Sequence, residues 1–172
     1  MMGVLLSILS LLGLSLFLWW FFSKGTITES WLPGELHRAQ LQIVETTYKT
    51  EHPYRIAAKP DRAYRLPSGE LVLVELKTRP GIRIFDTDIA ELSLQAWVLR
   101  SLGERVKDHA YVAVLKHTSS RPKPVRVRLM DDKACLKLIE RCLELKTGVS
   151  RPGANPGKHC LTCAYQSECF RR

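Results

Sequence analysis

Runs of hydrophobic and polar residues divide the chain before any single residue is considered. From Met2 to Phe22 the sequence MGVLLSILSLLGLSLFLWWFF holds no charge over 21 positions, about the length a helix needs to cross a hydrocarbon layer. A transmembrane helix is expected there. It lacks the basic start and small-residue cleavage site of a signal peptide, so it reads as an uncleaved anchor. Trp19 and Trp20 followed by Lys24 form an aromatic belt with a positive flank, which places the remainder of the chain on the cytoplasmic side.

After a linker that ends at Leu32-Pro33-Gly34, the spacing of His37, Leu41, Val44 and Tyr48 predicts a helix over Glu35–Lys49, closed by Pro53. The pattern then becomes strand-like: YRIAAKPDRAYRL from Tyr54, a turn at Pro67-Ser68-Gly69, and LVLVELKT, together an antiparallel hairpin. A helix from about Asp88 to Leu102 stops at Gly103. HAYVAVLK (109–116) and VRVRLM (125–130) predict two short strands around the turn-rich HTSSRPKP, and Asp131-Asp132 opens a last helix to about Lys146. The order of anchor, helix, three strands, helix, two strands, helix and cysteine tail predicts an α/β class with one mixed β-sheet flanked by helices. The expected organisation is an anchor over 1–24, a linker over 25–33, one domain over 34–149 and a tail over 150–172.

Composition refines this division. All 26 basic and 17 acidic residues of the 172 lie after Phe22, so the formal charge of +9 belongs to the part of the chain beyond the uncharged run. Such a domain suits polyanions, either nucleic acid or anionic lipid head groups, although a positive balance also serves topology and solubility. The five cysteines, at 135, 142, 160, 163 and 169, are confined to the last 40 residues. An odd number with a CxxC argues for a thiol-ligated metal site in a reducing compartment, not a disulfide framework.

The strand LVLVELKT carries the chemistry. Alternation puts Leu71, Leu73, Glu75 and Lys77 on one face and Val72, Val74 and Leu76 on the other. Both faces are apolar, so two charges at the end of a buried strand require compensation of several kcal/mol, on the order of the ion desolvation penalty. A structural Glu75–Lys77 salt bridge is the simpler account. The preceding arm of the hairpin, however, carries Pro60-Asp61, which can bring a second carboxylate to the pair. Two carboxylates and an ammonium suit a hard divalent cation, Mg²⁺ or Mn²⁺, which binds phosphate and lowers the pKa of bound water.

Pro60-Asp61 followed by Glu75-Leu76-Lys77 resembles the signature of the PD-(D/E)XK nuclease superfamily. Gly34-Glu35-Leu36-His37 upstream and Gln95-Ala96-Trp97 downstream resemble motifs of its RecB-like branch, which includes the CRISPR-associated iron–sulfur exonucleases. The resemblance runs from about Gly34 to the C-terminus. It implies a restriction-endonuclease-like core and a metal-dependent DNA nuclease in which His37, Asp61 and Glu75 bind metal, Lys77 is catalytic, and Gln95 sets the site and contacts DNA. Taken alone, His37 also reads as a satisfied core or surface histidine, with Glu35 as its substitute, and Gln95 as a polar residue at a helix edge.

Cys160, Cys163 and Cys169 form C-x2-C-x5-C, a spacing that lets three thiolates converge on one metal. The segment resembles the C-terminal cluster region of the iron–sulfur members of the branch, which implies a [4Fe-4S] cluster with four cysteine ligands. No cysteine precedes Cys135, so the fourth ligand falls to Cys135, Cys142 or His159. With His159 the set also suits Zn²⁺. The expected protein is thus a membrane-anchored DNA nuclease. The alternatives are a non-catalytic nucleic-acid-binding or assembly module of the same fold and a basic element that lies on lipid.

Overall fold

The computed structural model describes residues 30–117, 121–153 and 157–169. The anchor expected at Met2 to Phe22 lies outside the described residues, and among those described no helix is long and apolar enough to cross a membrane. The chain divides into two compact units, the first ending at Leu129 and the second beginning at Met130.

The first unit is a mixed α/β structure. A one-turn 3-10 helix, Gly34–Leu36, leads into β1 (Gln40–Val44), β2 (Tyr48–Thr50), β3 (Ile56–Ala58), β4 (Arg62–Arg65) and β5 (Leu71–Thr78). Helix α1 (Asp86–Ser101) follows, then β6 (His109–Leu115) and β7 (Lys123–Arg128). Five strands form one sheet in the order β1-β4-β5-β6-β7, while β2 and β3 pair as a separate ribbon. All sheet pairings are antiparallel except β5 with β6, whose parallel register sets Glu75 beside Val112 and Lys77 beside Val114. A parallel pair needs a crossover, and α1 supplies it.

The helix expected over Glu35–Lys49 is not formed. Its residues make the 3-10 turn and strands β1 and β2, and Glu45 takes a left-handed φ of 43°. Ile43, Val44, Thr46 and Thr47 are β-branched and weakly helical, and β1 gains a full antiparallel partner in β4, Gln40 facing Arg65 and Val44 facing Arg62. The strand expected from Tyr54 is interrupted at Lys59-Pro60-Asp61, where proline removes a ladder donor, so β3 and β4 belong to different sheets. The turn at Pro67–Gly69 forms as expected, with Gly69 donating to the Leu66 carbonyl at 2.8 Å and holding φ at +84°, a conformation that suits glycine.

Leu71, Leu73, Val112 and Val114 bury one face of the sheet against Leu92, Ala96 and Leu99 of α1. On the other face, Val72, Val74, Tyr111 and Ala113 pack with Leu32, Leu36 and Ala39 of the N-terminal segment. The doubly apolar pattern of β5 therefore has a separate covering on each side. Asp88 fixes the start of α1: its carboxylate takes the Phe85 amide at 2.9 Å and both terminal nitrogens of Arg79 at 2.8 and 2.9 Å.

The second unit holds α2 (Asp132–Thr147), where Asp131 caps the Ala134 amide at 2.7 Å and Gly148 ends the helix in a left-handed conformation. A 3-10 helix, Lys158–Thr162, and the short α3 (Gln166–Cys169) complete it.

Candidate metal-dependent hydrolytic site

Strand β5 carries Glu75 and Lys77 past the apolar part of the sheet to the end where α1 faces it. Glu75 is 3% exposed. Its Oε1 pairs with Lys77 Nζ at 2.7 Å, and its Oε2 accepts a hydrogen bond from Gln95 Nε2 at 3.2 Å. Asp61, just before β4, accepts from the Leu76 amide at 2.8 Å. Three segments distant in sequence, the β4 entry, the β5 end and the middle of α1, thus meet at one point. The structure brings together Asp61, Glu75, Lys77 and Gln95, four of the expected site residues.

Electrostatics in this cluster follow from burial and pairing. Burial pushes the Glu75 carboxyl above its ordinary value of 4.5, and the negative charges of Asp61 and Glu91 push the same way; the hydrogen bonds from Lys77 and Gln95 only partly offset this. For Lys77, burial acts to lower the pKa, but hydrogen bonds and charge from Glu75 and Glu91 outweigh it and raise it. Lys77 is therefore a fixed ammonium and not a base.

Glu91 was not among the residues singled out by sequence. It pairs with Lys77 at 2.7 Å, so the ammonium sits between two carboxylates. The signal was available, since Glu91 lies four residues before Gln95 on one helix face. The Arg79–Asp88 pair, one turn nearer the start of α1, extends the charged row.

His37 is placed elsewhere. It is exposed, its Nε2 lies 3.0 Å from the Leu32 carbonyl, and it belongs to the turn whose Leu36 packs on the sheet face opposite Glu75. Glu35, its substitute, is also on that side: its Oε1 lies 2.9 Å from His109 Nε2 and accepts a hydrogen bond from the Tyr111 hydroxyl. Burial alone would raise the Glu35 pKa, but those two hydrogen bonds and the His109 and Arg126 charges lower it. Tyr111 is pushed up to about 12 by burial and by Glu35.

Whether Asp61 and Glu75 suit a divalent cation can be judged from their donors. Among the described residues no three His, Cys, Asp or Glu side chains form a set that could hold a metal by themselves. Mg²⁺ commonly uses only one or two carboxylates and completes its shell with waters and substrate phosphates. Asp61 and Glu75 meet that requirement. Gln95 adds a further oxygen: Oε1 is buried and has no hydrogen-bond partner among the described residues, a costly state for a neutral amide that a bound cation or its water would relieve.

In the second unit none of the five cysteines is in a disulfide. Cys135 is buried on α2, and Cys142, one heptad on, is exposed. Cys160 Sγ accepts from the Gly157 amide at 3.3 Å, while Cys163 and Cys169 are exposed. Backbone hydrogen bonds from Cys163 to Cys160 at 3.2 Å and from Gln166 to Cys163 at 3.2 Å make this segment a chain of tight turns.

No protein-family model and no curated protein matches the chain. Among solved structures it resembles the crystal structure of SSO0001, with a TM-score of 0.50 and 15% identity over 75% of this chain. The match covers 59% of SSO0001. At that identity the likeness is one of fold alone.

Proposed function

We propose that this chain is a metal-dependent DNA nuclease of the PD-(D/E)XK superfamily with a restriction-endonuclease-like core, tethered to the membrane by Met2 to Phe22 and facing the cytoplasm. The observation that carries the reading is the meeting of Asp61, Glu75, Lys77 and Gln95 at the end of β5, with Lys77 Nζ at 2.7 Å from Glu75 Oε1 and Gln95 Nε2 at 3.2 Å from Glu75 Oε2. A purely structural ion pair needs only Glu75 and Lys77. It leaves without a role the buried Gln95 oxygen, which has no hydrogen-bond partner among the described residues.

In the proposed reaction Asp61 and Glu75 hold Mg²⁺ or Mn²⁺. When bound, the cation supplies Lewis acidity toward a phosphate oxygen and acidifies a coordinated water. Lys77, kept protonated by its two carboxylates, donates to the phosphate oxygens as charge gathers on them and orients the attacking water. Glu91 holds the ammonium in place from the other side. Gln95 fixes the second oxygen of Glu75 by its Nε2 hydrogen bond. The basic excess of the chain favours the polyanionic substrate.

The intact chain in detergent is expected to cut labelled single- or double-stranded DNA with Mg²⁺ or Mn²⁺ and to stop on addition of EDTA. Cleavage indifferent to EDTA, or none with any metal and substrate, would remove the basis for the reading. DNA binding that persists unchanged without Glu75 and Lys77 and with no cleavage would identify the non-catalytic module instead.

For the tail we propose a soft-metal site on Cys160, Cys163 and Cys169 that pins the C-terminus. The C-x2-C-x5-C spacing carries it, and resemblance favours [4Fe-4S] over Zn²⁺. The fourth ligand is Cys135, Cys142 or His159. Anaerobically purified protein should be brown, with iron and sulfide. Colourless protein with zinc would assign the Cys3His alternative, and metal-free protein would remove the site.

A further inference from the structure

Sheet faces in the first unit differ in charge as well as in covering. The α1 face holds the Glu75–Lys77 site. On the other face, Arg62, Val74, Tyr111 and Arg126 stand in one row across four strands, each opposite the next, and Arg128 lies opposite His109. Arg126 and Arg128 are exposed. The Arg62 guanidinium lies 5.9 Å from the centre of the Trp31 ring. Trp31 itself lines a groove of about 300 Å³ with Arg121, Lys123 and two prolines. The acidic groups on this side are engaged: Glu35 by His109 and Tyr111, and Asp108 by His109 at 3.1 Å.

The chain enters the described structure at this face. Ser30 is held there by a hydrogen bond from Arg121 to its carbonyl, and Trp31 packs against the apolar cluster beneath. Eight residue steps separate Ser30 from Phe22, the end of the expected anchor, and at about 3.3–3.6 Å per residue they span at most roughly 29 Å. The basic face is therefore the part of the unit tied closest to the bilayer.

We propose that this face, through Trp31, Arg62, Arg121, Arg126 and Arg128, rests on the anionic phospholipid headgroups of the membrane that Met2 to Phe22 enters. The catalytic face of the sheet then points away from the bilayer, open to DNA. The inference rests on the anchor proposed above. Juxtamembrane arginines and lysines are drawn to anionic lipid within about one Debye length, roughly 8 Å, and an amphipathic tryptophan belongs at headgroup level. DNA is the weaker occupant, because the short tether places the bilayer on the side from which DNA would have to approach.

The test uses the full chain in nanodiscs of phosphatidylcholine alone and of phosphatidylcholine with phosphatidylglycerol, with arginine modification by phenylglyoxal read by mass spectrometry. Arg121, exposed beside Trp31, should react several-fold more slowly in the anionic discs, and high salt should abolish the difference. Arg55, exposed between β2 and β3, should react alike in both. The double variant Arg126→Glu/Arg128→Glu, shown folded by circular dichroism, should lose most of the Arg121 protection. Equal Arg121 rates in both lipids, equal protection of Arg55, or protection unchanged in the double variant overturns this inference and leaves the anchor standing. Protection of Arg121 by an oligonucleotide in neutral discs, without any effect of anionic lipid, assigns the face to nucleic acid and overturns it. Release of the wild-type chain from membranes by alkaline carbonate removes the anchor and the inference together.

Discussion

Lys77→Met is expected to lower the rate of DNA hydrolysis roughly 10²–10³-fold, the usual loss when one donor to a developing negative charge is removed. That corresponds to about 2.7–4 kcal/mol of transition-state stabilisation. The size follows from the state in which Lys77 is held. Its ammonium lies 2.7 Å from both Glu75 and Glu91, which raise its pKa despite burial, so it donates hydrogen bonds and positive charge and takes no proton from water. DNA affinity, set mainly by phosphate contacts elsewhere on a basic chain, should change little. Single-turnover cleavage and fluorescence anisotropy on the same preparation separate the two effects. Equal cleavage rates in wild type and variant would exclude Lys77 from the reaction.

Glu75→Gln is the second large effect, and it separates activity from stability. Activity should fall by a comparable factor, roughly 10²–10³, because a neutral amide is a poor ligand for a hard cation. Stability should move the other way. Burial holds the Glu75 carboxyl above its ordinary 4.5, so near that pH the folded chain binds more protons than the unfolded one. The stabilising contribution is complete below 4.5 and is lost as pH rises through the folded-state value. The glutamine variant has no proton to lose, so thermal melts of the two should converge in acid and the wild type should become relatively weaker toward neutral pH. Mg²⁺ should then raise the melting temperature of wild type and not of the variant, since only a ligand of the native state stabilises it. A variant that becomes steadily less stable than wild type from acid to neutral pH in EDTA would contradict the burial account of Glu75.

Much of this could be read locally. LVLVELKT announces a strand covered on both faces, and the helix ending near Gly103 and the strand HAYVAVL follow from patterns that need no distant partner. The N-terminal helix failed for a physical reason. His37, Leu41, Val44 and Tyr48 have helical spacing, but Gln40–Val44 pairs with Arg62–Arg65, and only the fold reveals that partner. The same holds for Glu35, whose partners His109 and Tyr111 lie more than seventy residues away. Asp61, Glu75 and Lys77 could be picked out because an unexplained pair of buried charges forces a search for compensating groups, whereas Gln95 came only from the resemblance of Gln95-Ala96-Trp97 to a RecB-like motif. Glu91 escaped because a glutamate on a helix has many uneventful explanations, and only its 2.7 Å contact with Lys77 distinguishes this one.

The most direct measurement of the central claim is the rate of DNA hydrolysis by the intact chain in Mn²⁺, wild type against Glu75→Gln, at a pH where both melt well above the assay temperature. The account predicts cleavage by wild type and loss of at least about a hundredfold in the variant, with both proteins fully folded. Equal rates in the two would show that the carboxylate buried at the end of β5 does not hold the metal that cuts DNA.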